Sequence, residues 1–162
     1  MHPENPRRVV VGVDGTARTV AALRWAATEA MRQDAELHAV HAWGSVLRPA
    51  SYAPVADYST PDECARRAAA RLAETVHAAF GAAPPVPVRE VVDDRAVVPA
   101  LLDHARGAEL LVIATRPGSG RPGESGPGSI TLSCLRQAPC PVVVLPTDTD
   151  EAQPVGAGVA AR

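Results

Sequence analysis

The chain predicts a doubly wound α/β fold, a five-stranded parallel sheet in the order 3-2-1-4-5 with helices on both faces. Three observations carry that expectation. Short β-branched runs, apolar at consecutive positions, alternate with longer stretches whose apolar residues recur at helical spacing, as strands buried on both faces of a parallel sheet require. The run Leu110-Leu111-Val112-Ile113-Ala114 opens into a glycine-rich stretch from Thr115 to Pro127, which Gly128 and Ser129 close onto a helical pattern. And 162 residues with 46% hydrophobic content suit one domain with a substantial core.

The elements follow in order. Val9 to Val13 is a buried strand ending at the turn pair Asp14-Gly15. From Thr16 to about Gln33, Val20, Leu23, Ala27, Ala30 and Met31 form the apolar stripe of an amphipathic helix. Leu37 to Trp43 is the second strand and closes a β-α-β unit. Gly44 to Thr60, with Pro49 and Pro54 and no clear period, is a long surface connection. Thr60 caps a second helix, with Pro61 at its first position and Asp62 and Glu63 in its first turn, running to Phe80 before Gly81. Val86 to Val92 is the third strand. Asp93 or Asp94 is expected to cap a third helix reaching about Arg106, with Val97, Leu101, Leu102 and Ala105 inward and Pro99 in its first turns. After the glycine-rich loop, Ile130, Cys134 and Ala138 at i, i+4 and i+8, with Leu135 beside them, give a short fourth helix that Pro139 and Pro141 stop. Val142 to Leu145 is the fifth strand. Residues 1–146 are thus expected to form a single domain, and residues 147–162, poor in apolar surface, a disordered tail.

Composition excludes several partners. A net charge of −2 and a pI near 6.2 leave no basic footprint for nucleic acid and no single-sign field for a membrane surface. All 16 basic residues are arginine, so the lysine that a Walker-type phosphate loop requires is missing. Cys64, Cys134 and Cys140 show no paired spacing, against both a disulfide framework and a thiolate metal site. The apolar run after Arg8 is too short for a signal segment, and a cytoplasmic location is the expectation.

In a doubly wound sheet the ligand site lies beyond the carboxyl ends of the strands where their order reverses, here between the first and fourth strands. Those ends are Asp14 and Thr115. Asp14 can accept hydrogen bonds from ribose hydroxyls or support a metal bound to phosphate, and it can also serve as a plain turn residue before Gly15. The loop and the following helix start offer unpaired amides to phosphates. Ser129 and Thr131 can also act as helix caps without any ligand. Arg116 and Arg121 are secondary phosphate candidates on the loop. His38 and His41 fall on opposite faces of one strand and cannot share a metal. Asp93 and Asp94 read as caps before cation ligands, and Cys140 as a small filler before a reactive thiol.

Val10-Val11-Gly12-Val13-Asp14-Gly15-Thr16, Val40-His41-Ala42-Trp43, Leu110 to Ala114, Gly128-Ser129-Ile130-Thr131 and Ala138-Pro139-Cys140-Pro141-Val142-Val143-Val144 together resemble the universal stress protein family, over about residues 7 to 146. The ATP-binding branch of that family carries G-x2-G-x9-G-[ST]. Gly118, nine residues and Gly128-Ser129 match its second half, while its first glycine falls at Thr115. The resemblance implies an adenine nucleotide alpha hydrolase-like domain that binds ATP, with Mg2+ as a companion ion, and pairs as a homodimer through its last strand in stress adaptation. Carried over by position, Asp14 faces adenine or ribose, and Gly12, Val13 and Ala42 line the adenine pocket. Ala114, Thr115 and Gly118 pass beside ribose and phosphates, which Gly128, Ser129, Ile130 and Thr131 hold. At Thr115 a side chain either crowds the ligand or requires a backbone angle that threonine resists.

Three functions follow as expectations: a cytoplasmic ATP-binding signalling dimer, a dimeric interaction protein of the same fold that has lost nucleotide binding through Thr115, and a weak ATP hydrolase. Strong catalysis has no support from a Ser-His-Asp order, a metal cluster or a lysine near the loop. The apolar run Val142 to Leu145 is an edge that a second copy would cover.

Overall fold

Each expected strand and helix forms, and the strands fall in the expected order. The structure is a computed structural model and describes residues 6–44, 60–115 and 128–147. In chain order its elements are β1 Arg8–Gly12, α1 Ala17–Arg32, β2 Glu36–Ala42, α2 Pro61–Phe80, β3 Val88–Asp93, α3 Val97–His104, β4 Leu110–Thr115, α4 Ser129–Gln137 and β5 Val142–Pro146. The strands pair in parallel in the order β3-β2-β1-β4-β5. Most of the connection after Gly44, the glycine-rich loop 116–127 and the tail from 148 onward lie outside the described residues.

β1 sits at the centre because its sequence leaves it no other place. Val9, Val10 and Val11 are all fully buried, and successive side chains of a strand point to opposite faces, so both faces must be covered. Val9 and Val11 pack with Leu23 of α1 and Leu72 of α2, whereas Val10 packs with Leu101 of α3 and Cys134 of α4. One helix pair therefore covers each face. Leu23, Leu37, Leu72 and Leu111 are completely removed from solvent, and each contributes about 2 kcal/mol of burial.

Helix ends follow local chemistry. Thr60 Oγ1 accepts from Glu63 N at 3.3 Å while the Glu63 carboxylate accepts from Thr60 N at 2.7 Å, a reciprocal capping box that starts α2 with Pro61 next to it. Along α1 the buried face is Thr19, Ala22, Leu23, Ala26, Ala27 and Ala30, and Met31, assigned to the stripe, is exposed. On α4, Thr131 and Cys134 are buried while Ile130 and Leu135 are 44% and 47% exposed. The stripe expected at Ile130 and Cys134 is thus turned: Cys134 enters the core and Ile130 does not.

The cap of α3 also departs from expectation. It is Ala96, without a side-chain cap bond, and α3 begins at Val97 and ends at His104. Pro99 is harmless there because amides of the first helical turn have no intrahelical acceptor. Asp93 instead ends β3, only 8% exposed, and its carboxylate is occupied. Oδ1 accepts from Arg95 N and Arg95 Nε, each at 2.9 Å, and Oδ2 accepts from an Arg95 terminal nitrogen at 2.7 Å and meets His104 Nε2 at 3.0 Å. A two-pronged charged donor outcompetes a lone helix amide for a carboxylate. The Arg95 guanidinium, with its own amide and His104, holds the Asp93 carboxyl far below the usual carboxylate range. The same turn grips β2 through its backbone, since Trp43 N donates to Asp93 O at 3.0 Å and Gly44 N to Arg95 O at 3.1 Å. A Cβ at Gly44 would lie 2.1 Å from Asp94 O, so this approach of two backbones requires glycine.

Asp93→Asn removes the charge that Arg95 grips and is expected to destabilise the fold by about 2 kcal/mol at neutral pH. Because the folded carboxyl titrates below its unfolded value, that stabilisation is present above about pH 4 and is lost as pH falls below it. Urea midpoints of the two proteins should therefore differ at neutral pH and converge in acid; coincident midpoints at neutral pH would refute the role. Gly44→Ala is expected to cost about 2 kcal/mol through overpacking, read as a lower midpoint at unchanged slope.

Candidate functional site

At the carboxyl ends of β1 and β4, where the strand order reverses, lies a cavity of about 570 Å³. β1 and the turn after it supply Gly12, Val13 and Asp14, and the end of β2 supplies Ala42. β4 supplies Ala114 and Thr115, and the start of α4 supplies Gly128, Ser129, Ile130 and Thr131. The topology thus brings together every candidate named from the sequence except Gly118, which lies outside the described residues, as do Arg116 and Arg121. The cavity also takes in residues that the sequence reading did not place at the site. Val40, Val97, Leu101 and Ile113 form an apolar wall, Thr19 and His41 add polar atoms, and Arg18 and Arg71 add positive charge. Val97 and Leu101 share one helical face, a signal that core packing alone would equally produce; nothing in the sequence around Arg71 points to this place.

Asp14 serves the turn and faces the cavity at once. Its Oδ1 accepts from Thr16 N at 2.9 Å, Thr16 Oγ1 at 2.5 Å and Thr19 Oγ1 at 3.3 Å, fixing the chain as it enters α1. Gly15 follows with φ of +81°, a conformation that glycine adopts without strain. Oδ2 is left with a single long contact, to Arg18 at 3.5 Å, and the Asp14 side chain is 53% exposed. One carboxylate oxygen is therefore structural and the other is open to the cavity.

At the same cavity, the N-cap of α4 is Gly128, which has no side chain to give, and among the described residues no side-chain cap bond forms. Ser129 and Thr131 do not cap the helix. The amides of Ser129, Ile130 and Thr131 stand in the first turn, where no intrahelical acceptor exists and the positive end of the helix dipole lies. Thr131 is 4% exposed and Ser129 is open to solvent. Thr115 is the last residue of β4; it pairs with Pro146, and its carbonyl accepts from Thr147 N at 3.0 Å. Among the described residues Asp34 is the one non-glycine with positive φ, so Thr115 carries no forbidden backbone angle. A β-branched residue is at home at that strand end.

His41 Nδ1 lies 2.7 Å from Val13 O. A carbonyl can only accept, so the ring proton sits on Nδ1 and ties β2 to the turn after β1. His38, on the other face, contacts Glu36 at 3.3 Å, and burial pushes its pKa down. Burial raises the thiols of Cys134 and Cys140, which disfavours the nucleophilic thiolate. Among the described residues no group of three or more His, Cys, Asp or Glu is placed to hold a metal, and no helix is long and apolar enough to cross a membrane.

The sequence model of the universal stress protein family matches residues 5–146. A universal stress protein of Mycolicibacterium smegmatis is 32% identical over 146 residues, covering 89% of this chain and 49% of that protein. One from Mycobacterium tuberculosis is 33% identical over 154 residues, covering 90% and 49%. The chain spans about half the length of the curated relatives it matches. Among solved structures, a universal stress protein in complex with cAMP has a TM-score of 0.55 at 22% identity, covering 87% of this chain and 97% of that one. The Archaeoglobus fulgidus protein in complex with dAMP has a TM-score of 0.51 at 18% identity, covering 85% and 96%. The structural likeness shows the shared fold, and with the family pattern extending over all five strands of the sheet, the chain belongs to the universal stress protein family.

Proposed function

We propose that this chain binds an adenine nucleotide, ATP with its Mg2+, in the cavity between β1 and β4, and that it acts in the cytoplasm as a homodimer that reports nucleotide state during stress. One observation carries the reading: a single cavity is lined both by an apolar wall and by a helix N-terminus whose N-cap residue makes no side-chain bond. A purine ring needs the first and a phosphate the second. Val40, Val97, Leu101 and Ile113 would enclose the base, with the backbone at Gly12, Val13 and Ala42 along its edge. Asp14 Oδ2 would take the ribose hydroxyls or support the ion. Gly128, Ser129, Ile130 and Thr131 would hold phosphates by amides and hydroxyls, with Ala114, Thr115 and Gly118 alongside. Mg2+ would come with the triphosphate, since the described residues offer no cluster of their own. The cAMP and dAMP complexes of two proteins of this fold support the adenine preference. The alternative in which Thr115 abolishes binding loses its backbone ground, because Thr115 lies in a regular strand.

The dimer follows from β5. It pairs with β4 on one side, Val142 to Leu145 are half-buried, and the adjoining α4 exposes Ile130, Leu132 and Leu135. An apolar edge strand is a liability that a second copy removes.

Isothermal titration with ATP and magnesium should give saturable heat at one site per chain, and a flat titration at millimolar ATP would sink the reading. Asp14→Asn keeps an oxygen for Thr16 and Thr19 while removing the charge, and should weaken ATP by about tenfold. Light scattering at micromolar concentration should give twice the mass of the chain; a monomer would rule out the dimer.

A further inference from the structure

The two arginines of the cavity belong to a different side of it from the bare amides of α4. Arg18 stands on α1 and Arg71 on α2, the helices that cover one face of the sheet, whereas α4 covers the other. Arg18 has a side chain only 18% exposed, yet its ion contact, with Asp14, is at 3.5 Å. Firm guanidinium–carboxylate bonds are about 2.7–2.9 Å long, so most of its donors remain uncommitted. Arg71 is exposed, and among the described residues no ion pair joins it. Its side chain reaches the cavity by crossing directly over Gly15: a Cβ there would lie 2.5 Å from Arg71 Nε and 2.6 Å from its Cδ. The glycine that makes the turn after Asp14 thus also makes the passage for this guanidinium. Two guanidiniums against one carboxylate leave this side of the cavity positive by one charge.

We propose that Arg18 and Arg71 form a second anion subsite, which takes a phosphoryl group carried on the ribose of an adenine nucleotide, apart from its 5′ phosphate chain. The assignment rests on the adenine-nucleotide reading above. In that reading Asp14 meets the ribose; Arg18 contacts Asp14 and Arg71 lies over the next residue, Gly15, both carried by the helices of the sheet face opposite α4. A nucleotide whose phosphates form one chain places them on the α4 amides and leaves Arg18 and Arg71 unanswered. A phosphoryl group on the ribose engages both sides at once, and planar guanidinium donors suit its oxygens. The site would thereby discriminate between adenine nucleotides of equal phosphate number by where the second phosphate is attached.

The test compares adenosine 3′,5′-bisphosphate, ADP and AMP by calorimetry on the full chain and on Arg71→Gln and Arg18→Gln, with the fold of each variant checked by circular dichroism. The unaltered chain should bind the bisphosphate about tenfold more tightly than AMP, and more tightly than ADP. In Arg71→Gln the ratio of bisphosphate to AMP affinity should fall to near one. Because Arg71 is exposed and Arg18 is mostly covered, Arg71→Gln keeps the test intact should Arg18→Gln disturb α1. AMP and ADP binding with no preference for the bisphosphate, or a preference that both variants retain, would overturn the subsite while leaving adenine-nucleotide binding standing. Binding of none of the three would overturn the underlying reading and the subsite with it.

Discussion

A strand whose consecutive residues are all apolar must be covered on both faces, and in a parallel sheet it must also be flanked on both edges. β1 meets both demands, with Val9, Val10 and Val11 fully buried between two helix layers and with β2 and β4 as its neighbours. Once β1 is central, its chain leaves toward β2 while the chain on its other side belongs to β4. The loops beyond those two strands must then diverge, and the space between them is the cavity. Core burial therefore determines where the site lies before any polar residue acts. Gly12, Asp14, Ala114 and Thr115 reach the cavity because they stand at strand ends that the core has already positioned.

Polar side chains then decide how each exposed backbone end is satisfied, and the ends are treated differently. α2 receives a complete capping box from Thr60 and Glu63. The entry to α1 is held by Oδ1 of Asp14, and the turn before α3 is held by Asp93 gripping Arg95. α4, by contrast, starts at a glycine with no cap. An uncapped turn leaves amides without partners, which is unfavourable unless water or an anion answers them. That helix start lines the cavity, and Asp14 lines it too. The Asp93–Arg95 fork supports the site indirectly: it fixes the turn that carries Val97 into the apolar wall and clamps that turn onto Trp43 and Gly44.

Strand order and the place of the cavity at the strand ends were legible in the sequence because both depend on burial and periodicity, which are local signals with global consequences. The departures have equally definite causes. Asp93 had the residue type and position of a helix cap, but Arg95, two residues on, offered a stronger partner than the helix amides. Ile130 had the right spacing for the apolar stripe of α4, but a nine-residue helix buries one narrow face, and Cys134 with Thr131 took it. Arg71 was illegible for a different reason. It is one of several arginines on a helix whose exposed face is charged, and its reach toward the cavity depends on a contact with Gly15, 56 positions away in sequence, that no local pattern encodes.

Thr115 shows how the same residue reads differently in sequence and in space. Against a motif that begins with glycine, threonine looks like a break, and the usual reason for glycine is a backbone angle other residues avoid. In the fold, Thr115 is still strand: it pairs with Pro146, and its carbonyl is bonded to Thr147. The register of β4 with β5 therefore extends to the very rim of the cavity. A glycine there would gain freedom that a paired strand end does not use, whereas a β-branched residue stiffens the rim. What the substitution changes is volume, one side chain at the wall beside Ala114. Any consequence it has for a ligand is therefore a matter of fit along that wall.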